Sequence, residues 1–414
     1  MGPIVLLLPK TSYNAGDFLA AAERLGVEVI PVSDMCHQLA DHWEATPLAV
    51  RFREAEGAAE EIVAAVRGRA PAAVLGVDDL TAFVASLTAR ALGLPHNAPE
   101  ATGAARNKLE SRRRFAAAGL PVPRFAVVER GQTPGVPFPC VVKPLVLSGS
   151  RGVIRADDPA GLSEALDRVF RLLRSPEVAE RRDPELGRVL VEEFIPGPEV
   201  ALEGLLRGGA LHVLALFDKP DPLDGPFFEE TLYVTPSRHP PALQLSIATS
   251  VSRAAAALGL SDGPIHAELR LAPEGPFLLE VAARSIGGLC GRTLRFGVGV
   301  TLAELILRHA LGLTLEPPAR ERSAAGVLML PIRKGGILRD VAGLDAARQV
   351  PLIEDVVITA HTGEELVPLP EGGSYLGFAF ARGATPESVE AALRAAGAAI
   401  DVRVQPKLHT TRAP

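Results

Sequence analysis

The N-terminal quarter of the chain alternates between short apolar runs and amphipathic segments. Residues 4–8 are apolar without interruption, which is typical of a parallel strand buried on both faces. An amphipathic helix to Leu25, strands over residues 27–32 and 72–75, and a helix to Leu92 follow. This order predicts a doubly wound α/β unit whose loops gather at the strand ends.

The rest of the chain predicts two further units. Gly119, Pro121 and Pro123 end a predicted helix over residues 102–118. Strands and turns follow, with helices over 159–174 and 242–258, then a linker near residue 317, and a small α+β unit ending in a helix over 386–396 and a strand over 400–404. The sequence therefore predicts three domains: residues 1–104, residues 105–315 with a subdomain over about 125–196, and residues 316–414.

The composition is that of a globular protein without an electrostatic affinity for polyanions. Hydrophobic residues make up 47% of the 414 residues, charged residues 22%, and the formal net charge is −6. These values favour neither nucleic acid nor an anionic membrane as a partner, and no apolar run approaches the ~20 residues that span a bilayer. Cys36, Cys140 and Cys290 lie far apart without metal-ligand spacing, so a cytoplasmic location is expected.

Two polar strands joined by a turn carry the strongest local pattern. They are predicted over residues 265–271 and 277–284, with a five-residue turn between them. Symmetry about the middle of the turn places Glu268 directly opposite Glu280, and the period of two places His266 on the face of Glu268.

This pair of carboxylates predicts a cation site. Like charges directly opposite each other destabilise a sheet, whereas a cation between them removes the repulsion. Oxygen ligands favour a hard ion such as Mg²⁺. The alternative is a solvated polar face on which Arg270 and Arg284 act as counter-ions.

A second pattern indicates phosphate binding, although no glycine is followed by lysine as in a Walker loop. Lys143 ends an apolar strand. Because nearly all other basic residues are arginine, a retained lysine is informative as a compact point charge. Small residues in the following loop would let backbone N–H groups approach phosphate oxygens. These loop residues are Ser148, Gly149, Ser150, Gly152 and Val153. The alternative is an ordinary hairpin turn.

A third pattern is a strand that runs into a turn over residues 189–199, with adjacent glutamates, Glu192 and Glu193, at the strand end and Glu199 seven residues after Glu192. Glutamates placed in this way are unusual for a packed strand, and a purine and a ribose offer suitable donors. The alternative is a polar rim.

Together these patterns, in this order, resemble the ATP-grasp superfamily over nearly the whole chain. Asn107, Lys108 and Arg113, followed by the turn at Gly119, resemble the start of its ATP-binding region. The resemblance implies that Lys108 and Lys143 hold phosphates. It also implies an adenine-binding hinge and ribose contact at Glu192, Glu193, Phe194, Ile195 and Glu199, metal ligands at Glu268 and Glu280, and a phosphate- and intermediate-stabilising arginine at Arg284.

The resemblance also implies the fold, which is an ATP-grasp α/β fold. Its N-terminal doubly wound unit would be the pre-ATP-grasp domain, and its tail would be the C-terminal α+β domain. One departure is Ala282, which stands where the family often has an asparagine that binds metal. His266 lies opposite Ala282 in the predicted register and could replace the missing metal ligand. Whether the site holds one metal ion or two is therefore left open.

The segment after Arg284 resembles the L-amino-acid ligase branch, which makes dipeptides. Its residues Gly287 and Gly288, and earlier Lys219, Glu229 and Glu230, are therefore candidate substrate contacts. A base for the incoming amine is predicted among Glu229, Glu230 and His266. Glu229 or Glu230 could equally bind the amino group of the first substrate.

The implied activity is ATP-dependent activation of a carboxylate as an acyl phosphate, followed by coupling to an amine, with release of ADP and phosphate. The implied cofactors are ATP and Mg²⁺, with Mn²⁺ as an alternative, and the implied partners are small molecules and a second copy in a homodimer. Two alternatives stay open. One is a different carboxylate or acceptor on the same fold, as in biotin-carboxylase-like or nucleotide-pathway ligases, and the other is a non-catalytic ATP-binding protein.

Overall fold

A computed structural model describes residues 2–10, 12–34, 48–313 and 318–407. Cys36 and the predicted domain boundary at 315/316 lie outside the described residues. Within those ranges, no helix is both long enough and apolar enough to cross a membrane.

The N-terminal unit is a parallel four-stranded sheet with helices packed on it. Its strand order is β3-β2-β1-β4, and β1 is completely buried, as its apolar run predicts. Asp78 caps α3 by accepting a hydrogen bond from the Thr81 backbone N–H. The elements are β1 Ile4–Leu8, α1 Ala15–Leu25, β2 Val29–Ser33, β3 Leu48–Ala49, α2 Ala55–Val66, β4 Ala73–Gly76, α3 Asp79–Leu92 and α4 Pro99–Arg106.

The next segment folds into an antiparallel sheet of order β5-β8-β6-β7, covered by a helix whose apolar face packs on it. This sheet carries the predicted phosphate loop between β6 and β7. The elements are α5 Lys108–Ala117, β5 Phe125–Glu129, β6 Cys140–Pro144, β7 Ile154–Ala156, α6 Pro159–Leu173, α7 Pro176–Ala179 and β8 Arg188–Glu193.

The centre of the molecule is an eight-stranded sheet of order β13-β12-β9-β10-β11-β16-β20-β18. Its first part contains the acidic hairpin. The elements are β9 Glu199–Arg207, β10 Ala210–Lys219, β11 Leu232–Thr235, α8 Pro241–Leu258, β12 Gly263–Ala272, β13 Gly275–Ala282, β14 Arg295–Phe296, β15 Val300–Thr301 and α9 Leu302–Ala310.

The C-terminal segment completes that sheet. Its strand β16 pairs with β11, so one sheet continues across the predicted domain boundary, and the three domains remain a prediction. The elements are β16 Ala324–Leu330, β17 Gly336–Ala342, α10 Leu344–Gln349, β18 Ile353–Ile358, β19 Glu365–Leu366, β20 Gly377–Gly383, α11 Pro386–Ala399 and β21 Asp401–Gln405.

One apolar core joins the N-terminal unit, the central sheet and the C-terminal segment. It includes Leu6 of β1, Phe217 of β10, Phe296 of β14 and Phe378 of β20, all with no exposed surface. Because buried apolar surface stabilises whatever it connects, this shared core fixes the N-terminal unit against the central sheet.

Two local predictions were wrong. The predicted helix over 102–118 is two helices, because Asn107 adopts an extended conformation and its side chain accepts hydrogen bonds from the Leu109 and Glu110 N–H groups as the cap of α5. The predicted five-residue turn is tighter: Ala272 pairs with Gly275, and a bulge after Glu268 absorbs the register change.

Candidate active site

The predicted phosphate loop, residues 145–153, is called the lid loop from here on, and the β5-β8-β6-β7 sheet with α6 is called the lid unit. A cavity of about 1210 Å³ lies between the lid loop, the acidic hairpin, the N-terminal unit and the C-terminal segment. Most of the predicted site residues line it. They are Lys108, Lys143, Ser148, Gly149, Ser150, Val153, Glu192, Glu193, Phe194, Ile195, Glu199, Glu230, His266, Glu268, Glu280, Arg284, Gly287 and Gly288. Gly152, Lys219 and Glu229 were predicted with them but are not among the lining residues.

The acidic hairpin has the predicted register at the end that carries Glu268 and Glu280. Glu268 pairs directly with Glu280, and His266 pairs with Ala282. Each carboxylate has one lysine nearby: Glu280 lies 3.7 Å from the Lys108 ammonium and Glu268 lies 3.5 Å from the Lys219 ammonium. The sheet therefore holds two carboxylates side by side on the cavity wall.

Glu192 forms a buried ion-pair triad with Arg112 and Lys143. The guanidinium of Arg112 donates to both carboxylate oxygens of Glu192, and the Lys143 ammonium lies 2.6 Å from one of them. Burial alone would raise the pKa of Glu192, but the two cations lower it to about 2. Arg113, the arginine singled out from the sequence, is exposed, whereas Arg112 is buried.

Lys219 lies behind the cavity wall at the centre of three carboxylates. Its ammonium is 2.7 Å from Glu199, donates a short hydrogen bond to Glu230, and lies 3.5 Å from Glu268. Arg270 contacts Glu199 from the other side, at 3.3 Å. Oxygens of the three glutamates lie within 4.8 Å of one another, but the Lys219 ammonium already provides a cation there.

The same cluster perturbs Glu230. Burial and the neighbouring carboxylate of Glu268 raise the pKa of Glu230 to about 7, although Lys219 opposes the change. A carboxyl group with this pKa exchanges a proton near neutral pH, which is what a general base requires.

His266 lies between two carboxylates. Its Nδ1 is 3.2 Å from Glu203 and its Nε2 is 3.4 Å from Glu268. Burial disfavours the charged ring, but the two hydrogen bonds raise the pKa of His266 to about 9. A ring that is protonated at neutral pH cannot accept a further proton, so this geometry favours Glu230 over His266 as the base.

Arg284 is held by a residue that the sequence did not single out as functional. Its Nε and Nη2 atoms donate to the two oxygens of Asp79, at 3.1 and 3.2 Å. Asp79 is the first residue of α3, so a bidentate pair connects the N-terminal unit to the hairpin. The sequence signal for Asp79 is its position just after the predicted strand over residues 72–75, where the loops of a doubly wound sheet gather.

The lid loop contains two glycines in the left-handed backbone conformation. Gly149 and Gly152 both have positive φ, and a Cβ atom on Gly152 would lie 2.6 Å from the Pro144 ring. The Gly152 N–H, however, donates to the Pro370 carbonyl at 2.8 Å, so this residue holds the loop against the C-terminal segment.

Arg151 and Arg168 strengthen the same contact. Arg151 donates to the Glu371 carbonyl at 2.7 Å, and Arg168 of α6 makes a bidentate pair with the Glu371 carboxylate at 2.6 and 2.8 Å. The loop that follows β19 therefore fastens the lid unit to the central sheet.

The predicted adenine hinge is an ordered edge of the cavity. The Phe194 N–H donates to the Pro139 carbonyl, and the Ile195 carbonyl accepts from Arg270 at 3.1 Å. The Phe194 ring lies against the guanidinium groups of Arg155 and Arg270. The Glu193 carboxylate forms its ion pair with Arg124, whose side chain is largely exposed.

The donor set fits one hard cation between Glu268 and Glu280. Both carboxylates line the cavity and each is contacted by a lysine at 3.5 Å or more, which leaves oxygen atoms available. Ala282 offers no ligand, and both ring nitrogens of His266 already contact carboxylates. The residues therefore fit a single ion better than two.

Part of the cavity wall is mostly apolar and aromatic, and the sequence did not identify its residues. They are Tyr13, Tyr233, Ile286, Cys290, Met329 and Tyr375. They come from five distant parts of the chain, so no local pattern could have grouped them.

Similarity to known proteins agrees with this geometry. Residues 136–293 match the ATP-grasp domain family, and residues 328–405 match the L-amino acid ligase C-terminal domain 2. The structure of an L-amino acid ligase from Bacillus licheniformis superposes with a TM-score of 0.78 and 25% identity, covering 98% of this chain and 100% of that one.

Curated relatives include a D-alanine–D-alanine ligase of Citrifermentans bemidjiense, 31% identical over 52% of this chain and 70% of that protein. Carnosine synthase 1 of Gallus gallus is 31% identical over 52% of this chain but 23% of its own length. Across such relatives the chain spans between 23% and 72% of the relative's length. The chain belongs to the ATP-grasp superfamily of ligases and is similar to ADP-forming carboxylate–amine ligases, L-amino acid ligases among them.

Proposed function

We propose that this ligase activates an amino-acid carboxylate as an acyl phosphate and couples it to the amine of a second amino acid, giving a dipeptide. The observation that carries the proposal is the convergence of two lysines, two opposed glutamates and one arginine on a single cavity. Its volume of about 1210 Å³ accommodates a nucleotide and two small substrates.

ATP would bind between the lid loop and the hairpin. Lys108 and Lys143 would contact its phosphates, with backbone N–H groups of the Ser148–Ser150 turn nearby. The segment from Glu192 to Ile195 would border the base, and Glu199 the ribose. Phosphoryl transfer depends mainly on such positioning and on charge neutralisation.

Glu268 and Glu280 would hold one Mg²⁺ or Mn²⁺ ion, which would neutralise phosphate charge. Lys108 and Lys219 lie beside these carboxylates and would balance their charge on the protein side.

Arg284 would stabilise the oxyanion that develops when the amine attacks the acyl carbon. Its bidentate contact with Asp79 fixes the plane of the guanidinium, so that the group needs little reorganisation during reaction. Gly287 and Gly288 would let the substrate backbone approach closely beside it.

Glu230 would accept the proton of the incoming ammonium group. The raised pKa of Glu230, about 7, suits a group that must be ionised to bind an amine and must also take a proton. Glu229 is half-buried away from the cavity lining, and burial raises its pKa. It would act at the edge of the site.

The test is phosphate release from Mg-ATP against the twenty L-amino acids, singly and in pairs, with product masses measured. Amino-acid-dependent ADP formation with a dipeptide mass supports the proposal. ATP turnover without a dipeptide means another carboxylate or acceptor, and ATP binding without turnover by any carboxylate means a non-catalytic protein.

Two variants refine the assignment. Glu280→Gln should lower the rate and weaken Mn²⁺ binding if Glu280 is a metal ligand. Arg284→Lys, which keeps the charge but loses the fork, should lower kcat by about 100-fold, whereas Arg292→Lys alters an exposed pair with Asp17 and should not. We also expect a homodimer, which light scattering measures directly.

A further inference from the structure

Glu203 is a buried carboxylate in the apolar middle of strand β9. Its side chain has no exposed surface, and its neighbours Leu202 and Leu205 are core residues. A carboxylate in such a place is costly unless its oxygens have partners. Burial accordingly raises the pKa of Glu203, and hydrogen bonding by His266 opposes this.

One oxygen of Glu203 accepts two hydrogen bonds, and both lead to the active site. It lies 3.2 Å from Nδ1 of His266 and accepts from the Ile286 backbone N–H at 3.0 Å. The second oxygen, Oε1, has no partner among the described residues. One carboxylate oxygen thus makes both contacts, while the other is buried without a hydrogen-bond partner in the described part of the chain.

The two contacts connect the elements that carry the proposed chemistry. His266 lies directly opposite Glu203 in the sheet, and its other nitrogen contacts Glu268 at 3.4 Å. Ile286 follows Arg284 by two residues and lines the cavity. One carboxylate oxygen therefore fixes both a metal-ligand candidate, through an imidazole, and the segment that carries the catalytic arginine.

We propose that Glu203 is a positioning residue: it orients the His266 ring against Glu268 and holds the Arg284–Gly288 segment at the cavity wall. Glu203 does not line the cavity itself, so it acts through these two groups. The proposal rests on the ligase function proposed above. Outer partners of metal ligands typically contribute about 10- to 100-fold in metal affinity or activity.

The test is Glu203→Gln, which keeps size and shape but replaces one oxygen by a donor NH₂ group. The amide oxygen can still accept from His266 and Ile286, but it carries no charge, so both hydrogen bonds lose their charge assistance and weaken. We expect Mn²⁺ affinity, measured by electron paramagnetic resonance of the ADP complex, to fall about 10-fold. We expect kcat for ligation to fall by a similar factor, with a smaller change in the KM for ATP.

The matched control is Glu304→Gln in α9. Glu304 is also a buried glutamate, but its partners are Arg24 and Arg308, and it does not line the cavity. The Glu304→Gln variant should keep wild-type Mn²⁺ affinity and kcat. Equal losses in both variants would mean that Glu203 is merely structural and would overturn the proposal.

Wild-type Mn²⁺ affinity and kcat in Glu203→Gln would also overturn it. If this variant does not fold, Glu203→Asp, which withdraws the carboxylate by one methylene, is measured in the same way with the same criteria. Mn²⁺ binding does not depend on the substrates. A wild-type protein that binds Mn²⁺–ADP but makes no amide therefore refutes the proposed function, and the Mn²⁺ comparison still decides on Glu203.

Discussion

The buried triad of Arg112, Glu192 and Lys143 makes a quantitative prediction about stability. In Glu192→Gln the two cations lose their common anionic partner, although the side chain keeps its size. Glu192 and Arg112 have at most 1% exposed side-chain surface, so solvent cannot replace the lost charge. Removing one partner of a buried ion pair typically costs about 3–5 kcal/mol.

The pKa of Glu192 gives an independent value. A carboxyl whose pKa falls from 4.5 to about 2 on folding contributes about 3 kcal/mol of stability when it is ionised. Because the folded-state pKa is the lower one, this contribution is complete above the unfolded pKa and is lost as the pH falls towards about 2. The cost of the substitution should therefore be full at pH 7 and should be less than half as large at pH 3.

The assay is urea unfolding followed by circular dichroism at both pH values, with Glu193→Gln as the control. Glu193 is adjacent in sequence, but it pairs with Arg124, which is largely exposed, so its loss should change the free energy of unfolding little. The reasoning fails if Glu192→Gln is no more destabilising than Glu193→Gln at pH 7, or if its cost does not shrink in acid.

Three further substitutions test other parts of the structure. Gly152→Ala puts a Cβ atom 2.6 Å from a proline ring at φ +76° and should cost about 1–3 kcal/mol of unfolding free energy, whereas Gly187→Ala, with no atom within 4 Å, should not. Arg168→Ala removes the pair with Glu371 that fastens the lid, so limited proteolysis should cut the lid loop faster and the KM for ATP should rise. With Glu230 as the base, kcat/KM should fall as the pH drops through about 7, and Glu230→Gln should lower the rate and remove this limb of the profile.

The hairpin could be predicted because its information is local. A period of two and a turn near residue 274 predict that Glu268 pairs with Glu280 and His266 with Ala282, and the structure has these pairs because a bulge at Leu279 offsets the tighter turn. The bulge at Leu279 could not be predicted from the pattern. It depends on tertiary contacts such as the hydrogen bond from Arg112 to the Leu279 carbonyl.

The residues that the sequence did not identify depend on contacts between distant segments. Asp79 is 205 positions from Arg284, and Glu203 is 63 positions from His266. Asp79 has only the weak signal of a preceding strand end, since a helix start commonly carries an acidic residue, and nothing near Glu203 in the sequence marks it as functional. The wrong helix over 102–118 has a local cause, because Asn107 can serve either as a helical residue or as a cap.

The distribution of charge divides the cavity into two parts with different chemistry. Near the lid, Arg112 and Lys143 share the single charge of Glu192, so this part has an excess of positive charge. Because the Arg112 guanidinium makes two hydrogen bonds to Glu192, Lys143 can turn its ammonium towards a phosphate without leaving a buried carboxylate unpaired.

At the base of the hairpin carboxylates are concentrated. Glu199, Glu230 and Glu268 surround the Lys219 ammonium, and Arg270 and the His266 ring contact them from outside. The neighbouring carboxylates are part of why the pKa of Glu230 rises to about 7, and they are the groups that a divalent cation and an ammonium substrate would bind. The proposed phosphate site adjoins this region, because Lys108 lies 3.7 Å from Glu280. The transferred phosphoryl group, the amine and Arg284 would therefore meet beside the proposed metal ligands, where the carbon–nitrogen bond would form.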